Sequence, residues 1–421
     1  MGVPMAEPAD RLSQPVLPGS AFSHLRIGPL TLRNRFIKAG ANEGMTPQGM
    51  PTKALVKHHR DVAAGGVGMT TVAYGAVSPE GRTFTHQVHM DQAVVPHLRA
   101  LTDAVHAEGA AACLQITHGG SFTMLRPEKG LPKSASGGFN AFGCLQGILW
   151  KSAMNIGDMD RIAGEFARAA KFAREAGFDA VEIHMGHGYL LNQFLSPLTN
   201  KRKDTYGGDA VGRSLFPAQV LRRVKDAVGK HMAVTCKINQ TDAAKGGIDS
   251  QQASITAQIL QGEGADLLTL SGGHNMFSPW ALFGSPMPLA EMRAQAKGLS
   301  RIGPWVLSLQ QPKDLKFREL YFLETAKVIR QAVTMPLALV GGVKSKGAVD
   351  RVMQEGFDAI ALARVLIHDP HFVQKIMSNP RYLSGCDSCN NCVMGIYAPH
   401  GVRCVYNPLN DPILVTHLAG E

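Results

Sequence analysis

What most narrows the fold of this chain is a rhythm in the sequence. A short, wholly apolar run is followed by an amphipathic stretch of helical period, about eight times over roughly 350 residues. The apolar runs fall at residues 35–39, 67–73, 111–116, 180–184, 233–238, 267–271, 337–341 and 359–363. They do not alternate with polar residues, as strands covered on both faces need not. Residues 159–176 and 322–332 carry their apolar side chains on one helical stripe. This pattern predicts an α/β chain folded as a (β/α)8 TIM barrel with a cysteine-rich C-terminal extension. The rival, a doubly wound open sheet, calls for a Gly-x-Gly-x-x-Gly turn after its first strand, and none stands there.

The longer irregular stretches, 75–91, 118–149, 186–208 and 272–311, all follow predicted strands. In a barrel they become loops of the carboxyl face, where active sites are built. The expected organisation is a barrel over 1–379, entered through a loose arm at 1–20, and a tail at 380–421. The arm has no basic start and apolar core of a secretory signal, and no run of about 18 apolar residues follows. A cytoplasmic protein without a membrane partner is expected. The net charge of +10 comes from scattered Lys and Arg, which favours attraction of phosphorylated small molecules over nucleic acid.

The most informative segment runs from Ala176 through His184, His187, Tyr189 and Gln193 to Pro197. A buried strand delivers His184 to its carboxyl end, and His187 and Tyr189 follow in the loop. Two imidazoles three residues apart can donate to one oxygen, and a phenol two residues on can protonate the neighbouring atom. Taken alone, the same pair reads equally as buried structural histidines or as metal ligands.

This run, continued by Asn200, Arg202, Asp204, Tyr206 and Gly208, closely resembles the signature of the old yellow enzyme family. The resemblance implies an FMN-binding barrel that takes electrons from NADH or NADPH and reduces an activated C=C bond. It implies that His184 and His187 hold the substrate's oxygen and that Tyr189 is the proton donor. Ala39, Gly40, Ala41 and Asn42, after the first strand, would lie against the flavin, as would Tyr74 after the second. Gln115 would bond its pyrimidine edge and Lys237 would stand nearby as a cation. Gly341 and Gly342, then Ala363 and Arg364, would grip its phosphate at the seventh and eighth strands. Four positions depart from the family pattern: Asn42 for Thr or Cys, Tyr74 for a small residue, Gly212 for Asn, and Ala363 for Gly. Loss of an Asn at 212 is expected to loosen its loop, and Tyr74 to narrow the site.

Cys386, Cys389 and Cys392, then eleven residues and Cys404, can converge on one metal centre, iron–sulfur or zinc. The tail resembles that of dienoyl-CoA reductase and trimethylamine dehydrogenase relatives, where such cysteines bind a [4Fe–4S] cluster. The resemblance therefore implies either a port for an electron-transfer partner, a structural relic, or a lost site. Two other readings of the whole chain remain in play: an oxidative, C–N cleaving flavoenzyme, and a catalytically idle barrel.

Overall fold

The computed structural model describes residues 19–296, 298–397 and 401–407. The expected arm, apart from its last two residues, and the tail from Pro408 onward lie outside the described residues. Two short strands, β1 (Leu25–Ile27) and β2 (Leu30–Leu32), form an antiparallel hairpin before the barrel begins. The barrel strands are then β3 (Phe36–Lys38), β4 (Met69–Ala76) and β5 (Ala111–Thr117). A small side sheet of β6 (Lys133–Ser134), β7 (Gly138–Phe139) and β8 (Trp150–Ala153) interrupts the series. The barrel resumes with β9 (Ala180–Met185), β10 (Ala233–Asn239), β11 (Leu267–Ser271), β12 (Leu337–Val340) and β13 (Ala359–Leu362). These eight strands close as one parallel barrel, and every apolar run read from the sequence is one of them.

Between the strands run α1 (Lys53–Ala64), α2 (Val95–Ala107), α3 (Ile156–Glu175), α4 (Leu190–Leu195), α5 (Ala210–Val228) and α6 (Ser250–Gly262). Local chemistry starts several of them. Thr52, Asp209 and Asp249 cap the first free N–H groups of α1, α5 and α6, and Asn155 and Asp158 form a reciprocal capping box on α3. The 272–311 stretch, irregular in the sequence, carries α7 (Pro279–Phe283), α8 (Leu289–Gln295) and α9 (Ile302–Gln310). The chain continues through α10 (Leu323–Ala332), α11 (Lys346–Gln354), α12 (Arg364–His368), α13 (Phe372–Ser378) and the single turn α14 (Asn391–Met394). Among the described residues no helix is long and apolar enough to cross a membrane.

Two apolar clusters hold the barrel. The larger fills the space between strands and helices, and the smaller plugs the bottom. Leu25, Ile27 and Leu32 of the hairpin pack there with Met69, Ala180, Ala233, Leu267 and Ala359, the first residues of their strands. The hairpin is therefore a stopper at the amino end. At the other end the tail folds back over the loops: Val402 N–H donates to Glu43 O at 2.7 Å, and Ser384 N–H to Lys344 O at 3.0 Å.

Candidate active site

Seven of the eight strands, with the residues that follow β3, line one cavity of about 670 Å³ at the carboxyl face. The sequence-predicted residues Ala39, Gly40, Ala41, Asn42, Tyr74, Gln115, His184, His187, Tyr189, Lys237, Gly341, Gly342, Ala363 and Arg364 all line it. Two of the four cysteines, Cys386 and Cys392, reach it as well.

The histidine loop is built to be rigid. His187 has φ +60, a left-handed conformation, and its N–H donates to Asn239 Oδ1 at 3.0 Å. Gly188 follows at φ +89, where a Cβ would stand 2.5 Å from the His274 ring. Only glycine fits there. Asn192 Oδ1 takes the Gly188 N–H at 2.8 Å, and Gln193 ties the loop to Gly119 O at 3.0 Å. The two imidazoles stand perpendicular with ring centres 4.9 Å apart, and the Tyr189 ring lies 4.7 Å from that of His184. His184 Nδ1 accepts the Gly186 N–H at 3.2 Å, so its own proton sits on Nε2. His187 Nε2 is bonded to Ser271 Oγ at 2.8 Å. Burial, His187 and Lys237 hold His184 well below the usual imidazole range; burial, Lys237 and His274 do the same for His187. Both are neutral at physiological pH, and His184 is a donor through Nε2. Tyr189 Oη donates to Tyr74 Oη at 2.9 Å.

Tyr74 reaches this position because β4 shifts register between Val72 and Gly75, a bulge that re-aims the side chain. Beneath the cavity floor is a carboxylate the sequence reading missed. Glu182 accepts from Gln115 Nε2 at 2.6 Å and from Thr269 Oγ1 at 2.8 Å. Gln115 therefore presents its carbonyl oxygen, an acceptor for an N–H. Lys237 Nζ donates to Gly40 O at 2.8 Å; burial pulls its pKa down, and Glu182 opposes that. The alternation of Glu182 with His184 on one strand was the available signal. Asn42 Nδ2 is buried with no acceptor among the described residues. At the far wall the N–H groups of Gly341, Gly342 and Val343 have no protein acceptor among the described residues. A Cβ on Gly342 would meet Tyr321 and Phe317 within 3.0 Å. This set of groups suits a flat ligand with carbonyls and an N–H at one end and an anion at the other.

Arg364 does more than line the wall. Its guanidinium bonds Ser285 Oγ at 3.0 Å, Phe283 O at 2.5 Å and Asn390 Oδ1 at 2.6 Å. It stitches the β11 loop to the tail. Gly212 also departs from its expectation. A Cβ there would lie 2.2 Å from Gly207 O, so backbone fills the space of the missing Asn and the loop is tight, not loosened.

Cys386, Cys389, Cys392 and Cys404 line a second, small cavity that shares Arg364 with the first. No three of these sulfurs lie within 4.8 Å of one another. A single tetrahedral zinc with bonds of about 2.3 Å draws its sulfurs to about 3.8 Å, closer than any three of these stand. Among the described residues, the one tight metal-like group is Glu80, His118 and Glu165. There Arg161 already bonds both carboxylates, at 2.7 and 2.6 Å. His118 Nδ1 accepts the Gly120 N–H, so Nε2 carries the proton. This is an ion-pair buttress.

Residues 20–275 match the NADH:flavin oxidoreductase / NADH oxidase family. The chain is 40% identical over 392 residues to the 4,4'-dithiodibutanoate disulfide reductase of Rhodococcus erythropolis, covering 92% of this chain and 94% of that one. It is 30% identical over 391 residues to a metal reductase of Desulforamulus reducens, spanning 92% of this chain but only 53% of the relative. In fold it is similar to a 2-naphthoyl-CoA reductase, with a TM-score of 0.78 at 20% identity, over 93% of this chain and 58% of that one. The barrel, the cavity at its carboxyl face and these matches together place the chain in the NADH:flavin oxidoreductase / NADH oxidase family, as an FMN-dependent oxidoreductase of the old yellow enzyme kind.

Proposed function

We propose that this enzyme reduces a small activated C=C bond, of an enone, enal or dienoyl type, at the expense of NADH or NADPH. The observation that carries this reading is the convergence of two neutral imidazoles and a phenol inside the cavity. FMN, when bound, supplies the hydride it has taken from the nicotinamide. Asn42, Gln115 and Lys237 would hold its ring; Gly341, Gly342, Val343, Ala363 and Arg364 would hold its phosphate. Lys237, buried and cationic, favours negative charge on the ring edge it faces.

The remaining work belongs to side chains. His184 Nε2–H is set to donate to the acceptor's oxygen, and His187, fixed by Ser271 and Asn239, stands at right angles beside it. Polarising that oxygen makes the β-carbon a better hydride acceptor. Tyr189 then delivers its phenolic proton to the α-carbon. Phe84, Phe122, Phe142 and Met276 exclude water from that side of the cavity.

A second reading is favoured by the 40% identity to a disulfide reductase across nearly the whole of both chains. Here the acceptor is an organic disulfide. Hydride and one proton convert RSSR to two thiols while NAD(P)H becomes NAD(P)⁺, and Tyr189 protonates the leaving thiolate. The four tail cysteines would hold an iron–sulfur cluster, supplying a one-electron store beside the flavin cavity; iron and sulfide content of the purified protein tests this.

Stopped-flow kinetics of the FMN-loaded enzyme, first with NADH or NADPH and then with 2-cyclohexenone or a dialkyl disulfide, decide between acceptors. Tyr189→Phe should slow the acceptor step about 100-fold or more and leave flavin reduction within about twofold. Equal slowing of both steps would sink the proton-donor role.

A further inference from the structure

Tyr74 is the residue at which this chain departs most visibly from the family pattern, and the structure gives its hydroxyl a definite place. Tyr189 Oη donates to Tyr74 Oη at 2.9 Å, Tyr74 Oη lies 3.2 Å from Thr83 Oγ1, and Thr83 Oγ1 donates to Gln87 Oε1 at 2.9 Å. The chain ends inside the protein. Thr83 and Gln87 are both buried, and Gln87 Oε1 is pinned further by the Thr83 N–H at 2.6 Å. Gln87 Nε2 returns to Tyr74 O at 3.4 Å, closing the loop on the same residue. The rings are held as firmly as the oxygens. Tyr74 meets Tyr189 edge-on at 5.4 Å and Phe84 at 6.4 Å, while Phe122 stands at 90° to Tyr189.

A phenol that must give up a proton is helped most by a partner that binds its phenolate better than its neutral form. A hydroxyl is such a partner, because a hydrogen bond to a charged oxygen is stronger than one between neutral groups. Burial raises the pKa of Tyr74 above the ordinary phenol value, so it remains a neutral donor throughout the working range.

We propose that Tyr74 is a positioning residue for Tyr189, accepting its hydrogen bond at rest and donating to its oxygen once the proton has gone to the acceptor. The proton accounting is simple. Tyr189 loses one proton to the substrate; the Tyr74 proton turns from Thr83 Oγ1 to Tyr189 Oη without leaving Tyr74. Tyr189 is reprotonated from water when product departs. Thr83 and Gln87 fix the Tyr74 oxygen so that the turn is a rotation about one bond. The inference rests on Tyr189 being the proton donor.

The titratable groups facing the pair are His184 and His187 beside Tyr189, Lys237 across the cavity, and Glu43 behind Tyr74. None is altered by Tyr74→Phe, so a shifted pH profile reports on the phenol pair. The experiment is single-turnover oxidation of the reduced, FMN-loaded enzyme by 2-cyclohexenone, across pH, in wild type, Tyr74→Phe, Tyr189→Phe and the double variant. Tyr74→Phe should slow this step about tenfold, more than it slows flavin reduction, and move the alkaline limb to higher pH. In the Tyr189→Phe background it should add nothing, because the partner is gone. Thr83→Val should act in the same direction and more weakly. Multiplicative effects in the double variant, or an unmoved alkaline limb in Tyr74→Phe, would overturn the proposal. Tyr189→Phe at wild-type rate would instead overturn the reading on which it rests, and the two failures are read from different variants.

Discussion

The loops after β9 and after β11 face each other across the same cavity and are made in opposite ways. The first, from His184 into α4, is buried almost throughout and fastened by Asn239, Asn192, Gln193 and Ser271. The second carries α7 to α9 and is apolar on two sides. Leu307 and Val306 line the cavity, while Trp305 and Leu309 are 58% and 68% exposed on the outer face. One loop holds its histidines by hydrogen bonds with direction; the other faces the cavity chiefly with apolar side chains. Catalytic geometry should therefore be sensitive to single polar deletions behind the histidines. Acceptor choice should respond to changes of volume in the lid.

The sharpest way to break that contrast is Asn239→Ala. Asn239 is buried, holds the His187 N–H, and donates to Asp242 and to Gly273 O at 2.8 Å. Its loss strands several buried groups, so we expect about 3 kcal/mol of destabilisation and about a 100-fold loss in acceptor turnover. Denaturant melts and stopped-flow traces measure the two. Wild-type turnover in a folded variant would show that the loop keeps its shape without this anchor. Ser271→Ala removes only the bond to His187 Nε2 and should cost about tenfold in the acceptor step. Leu307→Ala, on the lid, should raise KM for apolar acceptors about fivefold with little change in kcat. A fall in kcat as large as that for Ser271→Ala would erase the distinction between the two loops.

The smallest expected effect is on stability against pH, and it draws on both regions, since His187 lies in the first loop and His274 in the second. Burial holds His58, His59, His118, His184, His187 and His274 below the ordinary imidazole range, His118 down to about 3 and His274 to about 4. In the unfolded chain these imidazoles take up protons near pH ~6.5, whereas in the folded protein they resist. The unfolded state binds more protons there, so stability falls as pH drops below that point. Glu43 acts in the same direction at lower pH: burial pushes its pKa up, but Lys38 and the neighbouring histidines bring it down to about 2. Its contribution is present above the ordinary carboxylate range and is lost only as pH falls toward 2. Melting temperature should be level above about pH 7 and decline by several degrees toward pH 5. A curve that stays level until the carboxylate range would mean the histidines are not held neutral.

The fold was legible because both-face burial leaves an unmistakable mark. All eight apolar runs are barrel strands, misplaced by no more than a few residues at the ends. His184, His187 and Tyr189 were legible because one short loop carries them. Their supports were not. Ser271 lies 84 residues from His187, Asn239 lies 52 away, and Tyr74 is 115 residues from Tyr189. No local pattern pairs such positions; barrel closure does. Arg364 shows the same limit from the other side. Its position at the cavity wall was readable, but its bonds to Phe283, Ser285 and Asn390 depend on where a loop and a tail come to rest.

The stopper at the bottom of the barrel has a consequence for traffic. With Leu25, Ile27 and Leu32 sealing the amino end, the cavity is a well with a floor, and whatever enters comes from the carboxyl face. Reductant and acceptor should then approach from the same side and compete for the space above that floor. An excess of either visitor delays the other.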